Sequence, residues 1–369
     1  MKVLVTGANG FIGSNLLIRL EEEKIDYSTF IRTDSLDDLE LKIKDCDFIV
    51  HLAGINRPKN ESEFIDGNTD LTKLIVSFLK KNELDIPIIY SSSIQAELDN
   101  PYGISKKMAE NALNEFSELS NNIVFNYRLP NVFGKWCKPN YNSAVATFCY
   151  NTINDLPIKI NDPDAVINLV YIDDVVNEFI SVIKDYEADI QIGDREVKPV
   201  YNITVGNLVK QLNSFKESKN TGIIESVGTG LTRALYATYI SYYKPSSFNY
   251  SLAKHEDPRG VFVEMLKTKN SGQFSFFSAH PNVTRGGHYH HTKNEKFLVI
   301  KGNAKFGFRH IQTNEYYEIF TSGDSPEVVE TVPGWSHDIT NVGDDEMFVM
   351  LWANEIFDPE TPDTIYHKV

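Results

Sequence analysis

The chain has 369 residues, too many for one ordinary hydrophobic core, and its 41% hydrophobic and 24% charged residues read as a soluble, globular, two-domain protein. A formal net charge of −15 excludes broad nucleic-acid binding, which needs a basic surface, but not a nucleotide held locally at a helix N-terminus by one or two arginines. No stretch is apolar and long enough to span a bilayer, the opening MKVLVTGANGFIG shows no signal-peptide pattern, and the three cysteines fall at unrelated spacings, so no membrane partner and a cytoplasmic location are expected.

In chain order, short β-rich runs (KVLVTG, YSTFIR, DFIVHLAG, IPIIYSSS, IVFNYRLPNVFG) alternate with amphipathic stretches such as Ser14–Glu22 and Lys106–Leu119. That rhythm predicts βαβ units and a doubly wound parallel sheet. After the first run, Gly7, Asn9, Gly10, Phe11, Ile12 and Gly13 form a Gly-rich turn that opens a helix. Glycine there serves a tight turn, a close backbone approach to pyrophosphate and helix–sheet contact, so a dinucleotide is expected. The second run ends at Arg32 with no acid at its tip, although Asp34 competes two residues on. A guanidinium suits a 2′-phosphate, which favours NADPH.

Tyr102 and Lys106 stand four residues apart, on one face of a predicted helix. An ammonium near a phenol is expected to lower its pKa and make it a usable acid for a carbonyl oxygen. The preceding run ends in Ser91, Ser92 and Ser93, one of which is expected to bond that carbonyl. Further on, Lys135, Trp136 and Lys138 offer cations and an aromatic face to a diphosphate and its base or sugar, or else form an ordinary loop.

From about Tyr250 the pattern changes to short alternating runs (VFVEMLK, GQFSFFSA, EKFLVIKG, AKFGFRH, EYYEIF, VVETVPG, EMFVMLWAN) with turns between them. This predicts an all-β sandwich or barrel, and the domains are taken as 1–248 and 249–369. Eight of the nine histidines fall after residue 250. His288 and His290 lie on one face of a strand, Glu295 follows, and His337 comes after a turn at Pro333-Gly334. Three imidazoles and a carboxylate suit Zn, Mn, Fe or Ni, with Zn the usual partner of imidazole. His255, His280, His291, His310 and His367 read as surface or structural residues, and Arg285, Lys293 and Lys296 as the rim of the mouth.

The motifs TGANGFIG, HLAG (51–54), GN (67–68), SSS (91–93), YGISK (102–106), RLPNVFG (128–134) and VYIDD (170–174) resemble the extended short-chain dehydrogenase/reductase family of nucleotide-sugar enzymes. The resemblance implies Tyr102 as acid/base, Lys106 as its partner and Ser93 as the third member, with Ser92 the alternative. It also implies Leu52, Ala53, Gly54 and Asn68 at the cofactor, and Arg128 and Asn131 beside Ser92 on the substrate side. The Asp-Glu pair of the family's dehydratases is missing, which favours reduction or epimerisation. The histidine motifs resemble those of the cupin family, except that Pro333 and Gly334 are adjacent where the family has a residue between.

Taken whole, through HLAGINRP, SSSIQAELDNPYGISK, GKWCKPNYNSAVATFCY, HHTKNEKFLVIKG and WANEIFDPETPDT, the chain resembles bifunctional capsular-polysaccharide enzymes of the CapF type. That likeness implies a homodimer acting on UDP-2-acetamido-2,6-dideoxy-hexos-4-ulose. The cupin epimerises C3 and the reductase uses NADPH at C4, giving UDP-2-acetamido-2,6-dideoxy-L-talose on the way to N-acetyl-L-fucosamine. Two alternatives stay open: a purely structural or dimerising cupin, and a redox-neutral epimerase that keeps its cofactor.

Overall fold

The structure is a computed structural model that describes residues 1–186, 193–244, 247, 250–290, 293, 295–311, 313–332, 334–360 and 362–369. By packing it divides into two units, Met1–Leu212 with Ala234–Tyr242, and Asn213–Arg233 with Tyr243–Val369. The boundary expected between 248 and 249 lies outside the described residues.

The first unit begins β1 (Lys2–Thr6), α1 (Phe11–Glu22), β2 (Asp26–Phe30), α2 (Leu36–Lys44), β3 (Phe48–His51). A short α3 (Ser62–Phe64) runs through a π-helical segment, Ile65–Asp70, into α4 (Leu71–Lys81), followed by β4 (Ile88–Ser93), α5 (Pro101–Leu119) and β5 (Val124–Leu129). Then come β6 (Asn131–Phe133), α6 (Ala144–Ile153), β7 (Val166–Tyr171), α7 (Ile172–Asp185), β8 (Gly193–Arg195) and β9 (Tyr201–Thr204). The parallel sheet has the order β2-β1-β3-β4-β5-β8, and β6-β7-β9 form a small sheet beside it.

Both faces of the parallel sheet are covered, as its continuously apolar strands require. Leu39, Ile43, Ile75, Leu79, Leu113 and Phe116 from α2, α4 and α5 pack with Leu4, Ile49 and Ile88. On the other face α7 brings Phe179 to 5.0 Å from the Tyr127 ring. The strand order reverses between β1 and β3, so a crevice opens at their carboxyl ends, where doubly wound sheets bind ligands. Helix α5 starts where its sequence says it should. Asn100 caps it by accepting from the Gly103 amide at 2.9 Å, and Pro101 occupies the first turn. Tyr102 is thereby fixed at the helix mouth, below the tip of β4.

The α8 helix (Val205–Thr221), the strand β10 (Ile223–Ile224) and α9 (Gly230–Ile240) follow. Residues Asn213–Arg233 belong by packing to the second unit, because Ile223 and Ile224 pair in parallel with Lys267 and Thr268. The rest of that unit is β11 (Lys254–Asp257), β12 (Gly260–Thr268), β13 (Gly272–Ala279), β14 (Thr284–Tyr289), β15 (Glu295–Lys301), β16 (Asn303–His310), β17 (Tyr316–Ser322), β18 (Val328–Glu330), β19 (Trp335–Asn341), β20 (Met347–Ala353) and β21 (Ile365–Tyr366). One sheet runs β10-β12-β13-β20-β15-β18 with β11 on β12, the other β17-β16-β19-β14-β21. Phe277, Phe297, Phe306, Ile339, Met347 and Val349 fill the space between them. This is the all-β cupin barrel, and its inward-facing rows put β14, β15 and β19 around one mouth.

Candidate active site and metal centre

The crevice at the β1/β3 switch point is a cleft of ≈ 500 Å³ walled by Gly7, Asn9, Gly10, Phe11, Ile12, Gly13, Leu52 and Gly54, then Ser91 to Gln95, Tyr102, Lys106, Asn131, Trp136, Lys138 and Tyr141. Gly7 has φ +70°, and a Cβ there would fall 2.6 Å from the Ala53 nitrogen; one on Gly13 would fall 2.5 Å from the Gly7 oxygen. Only glycine fits either place. Helix α1 begins at Gly10 with no side-chain cap and no acid in its first turn. Its N-terminal N–H groups and dipole are thus available to a phosphate.

Of the other expected cofactor residues, Ala53, Asn68 and Arg32 do not wall the cleft. Asn68 is buried and braces the loop after β3: its Oδ1 accepts from the Ile55 amide (2.8 Å), and its Nδ2 donates to the Ile55 carbonyl and to Ser105 Oγ. The Ala53 amide donates to Thr6 Oγ1 (3.1 Å), which meets His51 Nδ1 at 2.7 Å, while His51 Nε2 meets Thr72 Oγ1 at 3.0 Å. Thr72 donates onward to the Asn68 carbonyl, so His51 carries its proton on Nε2. Burial, with Lys106 adding to it, pushes the His51 pKa down to about 3, and the ring stays neutral as a brace. Arg32 is exposed just beyond β2. Its rival Asp34 is occupied, accepting from the Ile31 amide (3.1 Å) and from Lys42 Nζ (2.7 Å).

Tyr102 and Ser93 both line the cleft, where the Ser93 side chain acts on the phenol. Lys106 is buried, donates to the Ser91 carbonyl at 2.9 Å and lies over the Tyr90 ring. Burial lowers its pKa to about 8, against the opposing pull of Glu110. The lowering of the Tyr102 pKa expected from Lys106 is not found. Burial raises that phenol, and the nearby Ser93 side chain only partly offsets the rise. Tyr102 therefore stays protonated, as an acid must. The two serines separate by strand parity: Ser93 turns to Tyr102, whereas Ser92 Oγ donates to Glu110 at 2.5 Å.

On the substrate side Asn131 lines the cleft, its amide donating to the Asn168 carbonyl (3.1 Å). Arg128 and Lys135 do not line it. Arg128 closes on the fully buried Glu110 through Nε (2.9 Å) and a terminal nitrogen (2.8 Å), and reaches Glu97 at 3.2 Å. Lys135 pairs with Asp173 in a neighbouring hollow. The cation on the cleft wall is instead Lys138, 5.7 Å from the centre of the Tyr141 ring, and Arg57 approaches the same ring at 6.0 Å from outside the wall. Arg57 and Tyr141 carry no sequence signal, because only the fold brings their loops together.

In the barrel, His288, His290, Glu295 and His337 each present a ligand atom, all within 4.8 Å of one another. His290 Nε2 and His337 Nε2 lie 3.2 and 3.4 Å from Glu295 Oε2. His290 Nδ1 is bonded to the Asp363 carbonyl, which can only accept, so Nδ1 carries a proton. In the neutral ring the bare Nε2 lone pair then faces a carboxylate oxygen, and two acceptors in contact call for a cation. Neither ring nitrogen of the buried His337 has a hydrogen-bond partner. Ligands about 2.1 Å from one divalent ion sit roughly 3–4 Å apart, a range that the two Glu295 contacts meet, and three imidazoles with a carboxylate are a donor set that suits such an ion. Burial would raise the Glu295 carboxyl, but the adjoining His290 and His337 rings and the Lys293 ammonium hold it well below the usual range. Burial lowers His288 to about 4.

Of the expected rim residues, Lys293 is buried with its Nζ 3.1 Å from Glu295 Oε1. Lys296 pairs with Glu330, and Arg285 donates to the Ser278 carbonyl (3.1 Å). His291 and Pro333 lie outside the described residues.

The profile of the NAD dependent epimerase/dehydratase family matches residues 3–203, and that of the polysaccharide biosynthesis C-terminal domain matches 255–365. A UDP-2-acetamido-2,6-beta-L-arabino-hexul-4-ose reductase of Pseudomonas aeruginosa is 56% identical over 365 residues, 99% of this chain and 98% of that protein. The crystal structure of the capsular polysaccharide assembling protein CapF of Staphylococcus aureus superposes with a TM-score of 0.90 at 42% identity, covering both chains completely. The NAD complex of Thermus thermophilus UDP-glucose 4-epimerase, at 16% identity and TM-score 0.55, covers 66% of this chain and 99% of its own and shares the fold of the first unit. The chain belongs to the NAD-dependent epimerase/dehydratase family and, over its full length, to the CapF-type enzymes that join such a domain to a cupin.

Proposed function

We propose that this chain processes UDP-2-acetamido-2,6-dideoxy-hexos-4-ulose in two steps. The cupin inverts C3, and the reductase then reduces the C4 ketone with NADPH. The product is UDP-2-acetamido-2,6-dideoxy-L-talose, a precursor of UDP-N-acetyl-L-fucosamine for surface polysaccharide. The observation that carries the reductase half is the meeting of Ser93, Tyr102 and Lys106 in a cleft headed by an uncapped helix N-terminus. The name of the Pseudomonas aeruginosa relative, a reductase of such a ulose, supports the substrate. Exposed Arg32 beside an already paired Asp34 supports NADPH over NADH.

When bound, the nicotinamide supplies the hydride. Tyr102, held protonated by burial, gives its proton to the C4 oxygen, and Ser93 holds that oxygen through its hydroxyl. Lys106 stabilises the phenolate left behind. Lys138, Arg57 and the α1 N-terminus give the two diphosphates positive partners. In the barrel, His288, His290, Glu295 and His337 would hold a divalent metal, Zn by donor type, which supplies a Lewis acid for charge developing on the substrate oxygen. The C4 ketone acidifies the C3 proton, and its later reduction removes that acidity and fixes the new centre. The enzyme is read as a cytoplasmic homodimer, which light scattering checks as a mass of two chains.

The test is deuterium incorporation at C3 of the ulose in D2O without NADPH. Label is expected there, and His290→Ala should abolish it while the fold persists. Ketone reduction without any C3 label would reduce the barrel to a scaffold and leave a simple reductase.

A further inference from the structure

We propose that residues 363–369 act as a strap that sets the orientation of all three histidine ligands of the barrel; the inference rests on the metal-binding reading above. The strap meets the chain at or next to each histidine. The Asp363 carbonyl is bonded to His290 Nδ1, and the Asp363 carboxylate accepts from the Lys293 amide at 2.8 Å. Strand β21 pairs with β14, placing Tyr366 opposite His288, and the His367 amide donates to the carbonyl of Gly287 at 3.0 Å. Ser336, one residue before His337, donates its hydroxyl proton to the His367 carbonyl.

The physical consequence is specific. An imidazole binds a metal through one nitrogen, and the bond made by its other nitrogen decides which one and at what angle. For His290 the strap's carbonyl forces the proton onto Nδ1 and turns Nε2 toward Glu295. For His288 it pairs with the backbone of the strand, and for His337 it takes the side-chain hydroxyl of the neighbouring Ser336; in both cases it fixes the strand rather than the ring. A strap residue 73 positions from His290 thus acts as a positioning group for a site it does not enter.

The test measures zinc affinity by competition with a chromophoric chelator. It compares the parent chain, a variant lacking Asp363–Val369, and the point variants Asp363→Ala and Ser336→Ala. Asp363→Ala keeps the carbonyl on His290 but removes the carboxylate that anchors the strap to the Lys293 amide, and Ser336→Ala removes the anchor beside His337. Removing the strap should weaken zinc binding about 10- to 100-fold, as loss of groups behind metal ligands does. Each point variant should weaken it by a smaller factor in the same direction. Nitrogen-15 NMR of the zinc-loaded parent should show His290 protonated at Nδ1, and the strapless variant should lose that single state. Zinc affinity unchanged in the strapless variant would overturn the proposal. If that variant does not fold, unchanged affinity in both folded point variants does so instead. A parent chain that binds no zinc at all would remove the metal reading itself, and the strap with it.

Discussion

Glu110 offers the sharpest single perturbation of the reductase half. It is fully buried on α5, in line with Tyr102 and Lys106, and receives Ser92 at 2.5 Å, Arg128 at 2.9 and 2.8 Å, and Lys107 at 3.2 Å. Glu110→Gln keeps the shape and one acceptor oxygen but removes the charge that the bidentate guanidinium requires. Breaking a buried pair costs about 3–5 kcal/mol. Arg128 retains Glu97 and is 20% exposed, which lowers the expected loss to about 2–3 kcal/mol. For a unit of this size that is a fall in melting temperature of roughly 5–10 °C. Burial alone would raise the Glu110 carboxyl, but Arg128 and Ser92 more than offset it, and its pKa lies below the ordinary value. Its contribution is therefore present above the unfolded carboxylate pKa and is lost as pH falls through the folded one. The parent and Gln variant should differ most at neutral pH and converge in acid. Glu110 also raises the Lys106 pKa. Its removal should move the high-pH limb of ketone reduction, near pH 8 in the parent, to lower pH. Melting curves from pH 3 to 8 and a pH–rate profile read both effects. An unchanged melting temperature with an unchanged limb would refute the linkage of Glu110 to this site.

Tyr102→Phe should leave NADPH binding near normal by fluorescence titration while cutting kcat for ketone reduction about 10²- to 10⁴-fold. A variant with parental kcat would show that another group supplies the proton. Arg32→Ala should raise the NADPH KM about tenfold, as loss of a charged phosphate contact does, and leave the NADH KM alone. Equal effects on both cofactors would disqualify Arg32 as the reader of the 2′-phosphate. Gly13→Ala puts a Cβ 2.5 Å from the Gly7 oxygen and 2.8 Å from Ala8 Cα, both backbone. It should abolish cofactor binding or folding, and calorimetry showing parental affinity would contradict the close packing.

Both halves of the fold were legible because their signals are local. The Gly-rich turn, the Tyr102/Lys106 spacing and the His288/His290 pair each lie within a few residues of chain, where local geometry fixes which groups come together. What the sequence left open depends on partners far along the chain. Which serine meets Tyr102 is a matter of parity at the β4 tip, and parity is invisible until Glu110 on α5 is seen to take Ser92. Arg128 and Lys135 looked like substrate cations because their partners Glu110 and Asp173 lie 18 and 38 residues away. Asn68 and His51 fall in motif positions, yet they hold the cofactor loop from behind, through bonds to Ile55, Ser105, Thr6 and Thr72. The strap was silent for the same reason.

These pairings also bear on how a chain of net charge −15 would hold the two diphosphates of the proposed reaction. A charge beyond about one Debye length, roughly 8–10 Å, is screened, so the local balance matters more than the total. Three acids of the first unit are already matched. Asp34 is taken by Lys42, Asp173 by Lys135 and Glu110 by Arg128. Lys138 on the cleft wall, with the exposed Arg32 just beyond β2 and exposed Arg57 near the Tyr141 ring, then adds positive charge to the uncapped N-terminus of α1. Arg128 and Lys135, which the sequence pointed to on the substrate side, serve the same end indirectly. Each neutralises a carboxylate that would otherwise repel the nucleotide. Their removal should weaken nucleotide binding more at low salt than at high salt, whereas loss of Asn131, an uncharged group on the cleft wall, should weaken it equally at both.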